Sequence, residues 1–284
     1  MTSSIADFNL ACTATALFVY PVKACAGVAV DALELDDRGA PAGDRRWAVV
    51  DAKAEVTWQG AHPRLALVRP QPATTGLRLH ADGFAGVATP ALAALRPCSA
   101  KIWNDAAARH DTFDAADAGD AVAAWLADVV GPGLRLVRLS DAAVARDGPA
   151  ALHLVFSGSV AAVDAHLASA GHPGADARRY RPNILLSAPA GETLDAFVED
   201  AVQALEWTGT AGATRLEITS PCIRCVVPNV DPATAEVAPA TLMALEDLSQ
   251  RRQPGGPTAF GVYARGQAGA RLRVGDLARL ELVF

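Results

Sequence analysis

The chain has 284 residues and a mass of 29.3 kDa, with a formal net charge of −6 and a pI near 5.5. Hydrophobic residues form 51% and charged residues 20% of it, which excludes a disordered chain, and at about 150 residues per domain the length predicts two domains. The acidic balance argues against duplex nucleic acid as a partner, and no apolar run approaches the roughly 20 residues of a membrane span. The N-terminus also lacks the basic segment of a signal peptide, so we expect a cytoplasmic protein.

The first hundred residues predict an antiparallel β-domain. Short apolar or alternating segments recur at about ten-residue intervals, separated by Gly, Pro, Asp and Asn, which is typical of strands joined by turns. The predicted strands cover residues 17–20, 28–35, 47–51, 65–69 and 77–80.

The second part of the chain adds helices to further strands. The expected helices cover residues 121–130 after a cap at Asp120, residues 159–170 from a cap at Ser159, and residues 239–251. Strands are expected over residues 134–139, 183–186 and 215–219, and the C-terminal residues 272–284 predict a hairpin that turns at Gly275 and Asp276.

A segment rich in Asp and Ala, residues 111–119, predicts the boundary between two domains. We therefore expect an α+β, β-rich fold with one domain over residues 1–118 and another over residues 119–284. The sequence has no Gly-rich dinucleotide or P-loop motif and no nucleophile elbow, so it does not predict a nucleotide-cofactor enzyme or a serine hydrolase.

Five cysteines without a secretory signal do not predict a disulfide framework. Cys222 and Cys225 form a lone C-x-x-C pair. A structural zinc site would need a second pair of ligands, so the sequence does not predict zinc.

Four clusters combine charged or sulfur-containing residues with turn residues, and they are the candidates for chemistry. They are residues 20–27 (YPVKACAG), 43–47 (GDRRW), 178–184 (RRYRPNI) and 220–225 (SPCIRC), the last leading into the V-D-P of residues 230–232.

These clusters, in this order, resemble the motifs of MOSC proteins, and the resemblance runs from about residue 15 to the end. Y-P-V-K, D-R-x-W and the H-P-R-L of residues 62–65 are similar to the N-terminal MOSC β-domain. R-P-N-I, the E-D of residues 199–200, P-C-x-R-C, V-D-P and F-G-x-Y are similar to the MOSC domain. Within the family, the chain resembles the mitochondrial amidoxime-reducing component and bacterial reductases of N-hydroxylated bases.

The resemblance implies an N-terminal MOSC β-barrel domain packed on a C-terminal MOSC β-barrel domain with a few helices, and a molybdenum cofactor, Mo-molybdopterin, in the cleft between them. It implies that Cys225 is the catalytic thiolate ligand of molybdenum. It also implies cofactor contacts by Lys23, Ala24, Arg45, Pro149, Ala150, Arg181, Asn183, Ile223, Arg224 and Tyr263. Ala24 stands where the close relatives carry Ser, so only its backbone can serve.

The residue chemistry agrees with this implication. Molybdenum takes soft sulfur ligands, and a neighbouring cation such as Arg224 favours a thiolate at Cys225. Arginine holds phosphate through paired hydrogen bonds, and the amide of Asn183 can donate to and accept from a pterin edge.

The implied activity is the two-electron reduction of N-hydroxylated substrates: hydroxylamines, amidoximes and N-hydroxylated bases. The sequence has no four-cysteine iron–sulfur spacing, so we expect an external electron donor: a reductase, a ferredoxin or a cytochrome. The alternative is a molybdenum-cofactor or sulfur carrier that binds the cofactor without reductase turnover.

Several of these residues also have purely structural interpretations. Cys222 is expected to be a small buried hydrophobic residue, with a redox partner of Cys225 as the alternative. Arg178 and Arg179 are expected in a solvated loop, and Asp44 with Arg45 could form a simple turn salt bridge. Glu199 and Asp200 are expected to cap or orient. The tryptophans are expected to be core or half-buried packing residues: Trp47, Trp58, Trp103, Trp125 and Trp207.

Overall fold

The computed structural model describes residues 7–146, 152–209 and 212–283. The strands, in chain order, are β1 (Asp7–Val19), β2 (Val28–Val30), β3 (Ala32–Glu34), β4 (Trp47–Val50), β5 (Arg69–Ala73), β6 (Gly76–Ala81), β7 (Phe84–Ala88), β8 (Arg96–Asn104), β9 (Arg109–Asp117), β10 (Arg135–Leu139), β11 (Leu152–Phe156), β12 (Ile184–Ser187), β13 (Val202–Gly209), β14 (Gly212–Ile223), β15 (Ala259–Arg265), β16 (Arg271–Arg273) and β17 (Leu277–Leu282). The α-helices are α1 (Asp120–Val129), α2 (Asp141–Ala145), α3 (Ser157–Ser169) and α4 (Ala240–Arg252). None of these helices is long and apolar enough to cross a membrane.

Seven strands of the described chain close into a barrel in the order β12-β11-β15-β14-β13-β17-β1, because β1 pairs with both β17 and β12. The pairs are antiparallel except for β11 and β12, which run parallel. A parallel pair needs a crossover connection, and α3 supplies it. This architecture confirms the predicted β-rich α+β fold.

The apolar sequence of β11 reflects burial on both faces. Leu152, Leu154 and Phe156 pack into the barrel core, whereas Val155 packs outward against α3 and α4. Such a strand appears in sequence as a continuous apolar run, and its ends cannot be assigned from alternation.

The N-terminal half forms two smaller antiparallel sheets, β4-β10-β9-β8 and β5-β6-β7. Helix α1 packs its buried residues Val122, Leu126 and Val129 on the core beneath these sheets. In the described chain, strands pair across the division predicted between residues 118 and 119 at three places. Strand β1 belongs to the C-terminal barrel, β3 pairs with β16, and β10 pairs with β4 and β9. The domain boundary at residues 118 and 119 therefore remains a prediction.

Several sequence-based assignments are corrected locally. The strand expected over residues 65–69 is a 3₁₀ helix, Pro63–Leu67, because Pro63 favours a helical first turn and Leu65 must be buried. Asp120 lies inside α1, and Gly119 takes the N-cap position with φ +91°. Ser159 lies inside α3, which begins at Ser157.

The predicted C-terminal hairpin does not form, although the chain turns where expected. Strand β16 pairs with β3, and β17 pairs with β1 and β13. Gly275 donates its backbone N–H to the carbonyl of Ala14, and the Asp276 carboxylate accepts from the indole of Trp207 at 2.9 Å. Because of these contacts with the barrel, β16 and β17 pair with other strands and not with each other.

The carboxyl group of Glu199 is buried in the 3₁₀ helix Val198–Ala201, which directly precedes β13. It is 1% exposed, and its Oε2 accepts the hydroxyl hydrogen of Ser159 at 2.7 Å. Its Oε1 has no hydrogen-bond partner among the described residues. Burial raises the pKa of Glu199 to about 7, against an ordinary value of 4.5.

We expect Glu199→Gln to remove a pH dependence of stability. The folded protein holds this proton more tightly than the unfolded chain, so the stability contribution of Glu199 is full below pH 4.5 and is lost as the pH rises through about 7. The free energy of unfolding of the variant relative to the wild type should therefore rise by about 3 kcal/mol between acidic and mildly alkaline pH. Denaturant titrations across that range measure it.

Asp200→Asn is the matched control, because it removes the neighbouring carboxylate, which is exposed and paired with Arg252 at 2.8 Å. Its stability should follow the pH dependence of the wild type. An unchanged pH dependence in Glu199→Gln would contradict the assignment.

Candidate functional site

The first site segment is the turn that follows β1. The N–H of Lys23 donates to the carbonyl of Trp47 at 2.7 Å, and Ala24 adopts the left-handed conformation with φ +69°. The carbonyl of Ala24 accepts from Nε2 of the buried Gln59 at 2.7 Å. Cys25 is fully buried, and burial raises the pKa of its thiol to about 12, which leaves it inert.

A buried polar network joins this turn to the C-terminal barrel. Asp44 is 4% exposed, and its Oδ1 accepts from the N–H of Tyr20 at 2.6 Å and from the amide of Asn183 at 3.3 Å. The Asn183 amide also donates to the carbonyl of Phe18 at 3.1 Å and accepts from the N–H of His153 at 3.1 Å. Because Asn183 is fully buried, its amide faces the protein interior and not the cleft.

Two guanidinium groups share the ring of the buried Tyr20. The guanidinium carbon of Arg181 lies 4.3 Å from the ring centroid and that of Arg45 lies 5.2 Å from it. Arg45 is paired with Asp44, and Arg181 donates from Nη1 to the carbonyl of Cys25 at 2.5 Å. Each arginine sits in the left-handed conformation, with φ +51° for Arg45 and φ +58° for Arg181.

The positive charge of this pair exceeds the negative charge placed beside it. Burial lowers the pKa of Arg181 and the charge of Arg45 lowers it further, yet a guanidinium keeps its proton in proteins. Nη2 of Arg181 is buried without a hydrogen-bond partner among the described residues. A buried donor without a partner costs free energy, so this geometry fits an incoming anion such as a phosphate group.

A narrow cavity of about 40 Å³ opens beside these groups, and Tyr20, Gly27, Gln59 and Arg181 line it. Arg179 lines it too and is only 12% exposed, because it donates to Asp231 at 2.6 Å. The expectation of a solvated Arg179 is therefore wrong: the V-D-P segment supplies its partner.

The second cluster surrounds Cys222, which is 3% exposed. Nη1 of Arg224 donates to its sulfur at 3.0 Å, and the side chains of His153 and Tyr263 also face the thiol. Burial raises the pKa of Cys222, but the charges of His153 and Arg224 outweigh burial and lower the pKa well below its ordinary value of 9.0. Cys222 is thus buried as expected, but in a polar environment that favours its thiolate.

Cys225, in contrast, is exposed. It follows β14 in a loop that the backbone bond from the N–H of Arg224 to the carbonyl of Thr258, 2.9 Å, holds in place. Cys225 and Lys23 line the same wide cavity of about 800 Å³. Ile223 beside them is 55% exposed.

The structure brings several of the predicted site residues together in small groups. Lys23 and Cys225 line the wide cavity, and Arg181 lines the narrow one. The structure also brings together Arg45 with Arg181, and Arg224 with Tyr263 through Cys222. Pro149 and Ala150 lie outside the described residues. The sequence analysis did not single out four contributors to the site: Tyr20, Gln59, His153 and Arg179.

Comparison with known proteins identifies both halves of the chain. Residues 11–132 match the MOSC N-terminal beta barrel domain, and residues 141–279 match the MOSC domain. A molybdenum cofactor sulfurase from Danio rerio is 28% identical over 284 residues, which cover 90% of this chain and 32% of that protein. The mitochondrial amidoxime reducing component 2 of Rattus norvegicus is 27% identical, covering 93% of this chain and 82% of that protein.

The chain therefore spans about a third of the length of the sulfurases that it matches. Among solved structures, the YuaD protein of Bacillus subtilis is 10% identical and aligns over 97% of this chain with a TM-score of 0.42.

We expect Cys222 to ionise at neutral pH despite its burial. The Cys225→Ala variant isolates this group, because burial raises the pKa of the three remaining thiols, those of Cys12, Cys25 and Cys98. In that variant the ultraviolet absorbance of one thiolate should be present at about pH 7.

The double variant Cys222→Ala, Cys225→Ala provides the baseline and should lack this absorbance. A thiolate signal that develops only near the ordinary thiol pKa of 9.0 would contradict the role of His153 and Arg224.

Proposed function

The chain belongs to the MOSC family, with an N-terminal MOSC β-barrel domain followed by a MOSC domain, and from this we propose that it binds a molybdenum cofactor and reduces N-hydroxylated compounds. One observation carries the proposal: the exposed Cys225 lines a wide cavity together with Lys23, and the adjacent narrow cavity is lined by Arg181, whose Nη2 is buried without a partner among the described residues. The names of the relatives, an amidoxime reducing component and molybdenum cofactor sulfurases, agree with it.

Different residues of this chain would bind different parts of the cofactor. Cys225 would be the thiolate ligand of the metal, since molybdenum prefers sulfur. Arg45 and Arg181 would hold the anionic phosphate of the pterin, and the unpartnered Nη2 of Arg181 is a donor directed at such a group. Lys23 would contribute a further positive charge at the Cys225 end of the cleft.

Other predicted contacts act through these residues. Asn183 is bonded on both sides of its amide inside the protein, so we propose that it positions Asp44 and the end of β1 instead of touching the pterin. Ala24 would offer only backbone groups, and its carbonyl already accepts from Gln59. Arg224 is proposed to fix the loop of Cys225 through its bonds to the Cys222 sulfur and the carbonyl of Tyr180.

The bound cofactor would supply the two-electron chemistry that removes oxygen from nitrogen. The balanced reaction converts an N–OH group, two electrons and two protons to N–H and water. The five cysteines of these 284 residues lack iron–sulfur spacing, so we propose that a separate reductase, ferredoxin or cytochrome supplies the electrons. The protein contributes position and electrostatics.

A second candidate is a carrier that binds the cofactor, or its sulfur, without turnover. The match to about a third of each sulfurase favours it, because that portion is homologous to the whole of this chain. The same residues would hold the cofactor in both cases, so turnover is the property that separates the two functions.

We expect Cys225→Ala to lose molybdenum. Wild-type protein purified from a host that makes the cofactor should contain about one molybdenum per chain by elemental analysis, since Cys225 is the exposed cysteine of the described residues. Loss of a residue that only orients a metal ligand weakens metal sites by about 10–100-fold, so loss of the ligand itself should lower reduction of N-hydroxylated substrates by at least about 100-fold. Cys98→Ala, which removes a thiol that lines neither cavity, is the control.

Pterin without turnover in the wild type would favour the carrier. Full metal content and activity in Cys225→Ala would refute the ligand assignment, and neither metal nor pterin in folded wild-type protein would refute cofactor binding.

We expect Arg181→Gln to lower cofactor occupancy while the fold is kept. The variant removes a buried charge and its donor to the anion, and charge-assisted bonds of this kind are worth about 1.5–3 kcal/mol, or roughly tenfold or more in affinity. Released pterin, measured by fluorescence after oxidation, reports occupancy. Arg251→Gln is the matched control, because Arg251 is 65% exposed, is paired with Asp247 and does not line this cavity. Equal occupancy in both variants would contradict the role of Arg181.

A further inference from the structure

We infer that the wide cavity in front of Cys225 is a recognition site for small planar organic cations. Its volume of about 800 Å³ is in the range of small-molecule sites. The inference deepens the proposed function, since it names the charge and shape of the compounds that reach Cys225.

Two exposed tryptophan side chains line this cavity and carry the argument. Trp58 is 43% and Trp103 is 48% exposed, whereas the other three tryptophans are buried. Exposing two large apolar rings beside one cavity leaves apolar area in water, which is a feature of ligand-binding surfaces. Both side chains are half-buried, as expected, but they line a cavity instead of packing in the core.

Both indoles are held in place. The indole N–H of Trp103 donates to Asp105 at 2.8 Å, and its ring packs edge-on against His110 with 5.2 Å between centroids. Trp58 lies over Gly60, where a Cβ would come within 2.5 Å of the indole. Rigid aromatic faces bind planar groups with little loss of side-chain entropy.

The charged side chains that line the cavity determine whether it attracts a cation or an anion. Three carboxylates, those of Asp51, Glu55 and Asp105, line it against one ammonium, that of Lys23. Glu55 lies 3.9 Å from Nε2 of His110, and both side chains are 32% exposed. An excess of negative charge beside two aromatic faces favours a cation, because the ring quadrupole and the carboxylates attract the same sign.

The charge of this cavity is opposite to that of the neighbouring cleft. Residues 57–62 lie between the two cavities. Gln59 lines the narrow cavity of Arg181, and Trp58 lines the wide cavity of Cys225. Cys225 thus lies beside an acidic, aromatic cavity while the guanidinium groups of Arg45 and Arg181 belong to the other side. The anionic phosphate of a cofactor would bind on the side of Arg181, and a cationic ligand would bind on the side of Trp58, next to Cys225.

The test compares three probes of one shape: benzamidine, benzamide and benzoate, which carry charges of +1, 0 and −1. Calorimetric titration into the cofactor-loaded protein should show benzamidine binding at least about tenfold more tightly than either of the others, which corresponds to about 1.4 kcal/mol. The preference should weaken as salt is raised, because these carboxylates are partly exposed. Equal binding of the three probes, or tighter binding of benzoate, would overturn the inference.

Variants assign the recognition to individual groups. Trp103→Ala should weaken benzamidine binding about fivefold, and Glu55→Gln combined with Asp105→Asn, which keeps the shapes, should reduce the preference over benzamide to less than about threefold. Phe84→Ala and Glu217→Gln remove an exposed ring and an exposed carboxylate that do not line the cavity, and they should leave binding unchanged. Unchanged binding in both cavity variants would overturn the assignment.

Cys225→Ala separates this inference from the proposed function. Charge discrimination should persist in that variant because the tryptophans and carboxylates remain. Discrimination in wild-type protein that contains no molybdenum when purified from a cofactor-making host would refute the cofactor and keep the cation site. Molybdenum-loaded wild-type protein without discrimination would keep the cofactor and refute the cation site.

Discussion

The site depends on two partly buried guanidinium groups that share one tyrosine ring. Placing Arg45 and Arg181 beside Tyr20 brings like charges together where water screens them less than at an open surface. Asp44 and the ring face compensate only part of this charge. The backbone on both sides of the pair is fixed, and the remaining positive charge is the feature on which the proposed anion site rests.

Asn183 provides much of that fixed backbone. Its amide is bonded to Asp44, to the carbonyl of Phe18 and to the N–H of His153, so one side chain joins the loop after β3, the end of β1 and the start of β11. A buried amide can do this only if each of its groups finds a partner. The residue therefore matters for the site although it is fully buried and away from the cleft.

The sequence indicates the residue types of the site better than their partners. Arg45, Arg181 and Cys225 stand in motifs whose order could be recognised, and the β-rich fold followed from turn spacing. The partners of Arg179 and Cys222 could not be predicted, because Asp231 is 52 residues from Arg179 and His153 lies on another strand. Burial of Trp58 and Trp103 also depends on what packs over them, and composition does not contain that information. For the same reason the C-terminal turn was predicted but not the pairing of its strands.

The two thiols of the C-x-x-C pair have different environments, and this difference determines which one is available. Cys222 ends its strand facing inward, where Arg224 donates to its sulfur and His153 and Tyr263 surround it. Cys225 lies three residues later, outside the strand and exposed to the wide cavity. A soft metal entering the cleft meets one accessible sulfur, since the other is already bonded inside the protein. Arg224 therefore affects both cysteines. Its side chain donates to the buried sulfur of Cys222, and its backbone N–H, bonded to the carbonyl of Thr258, holds the loop that exposes Cys225.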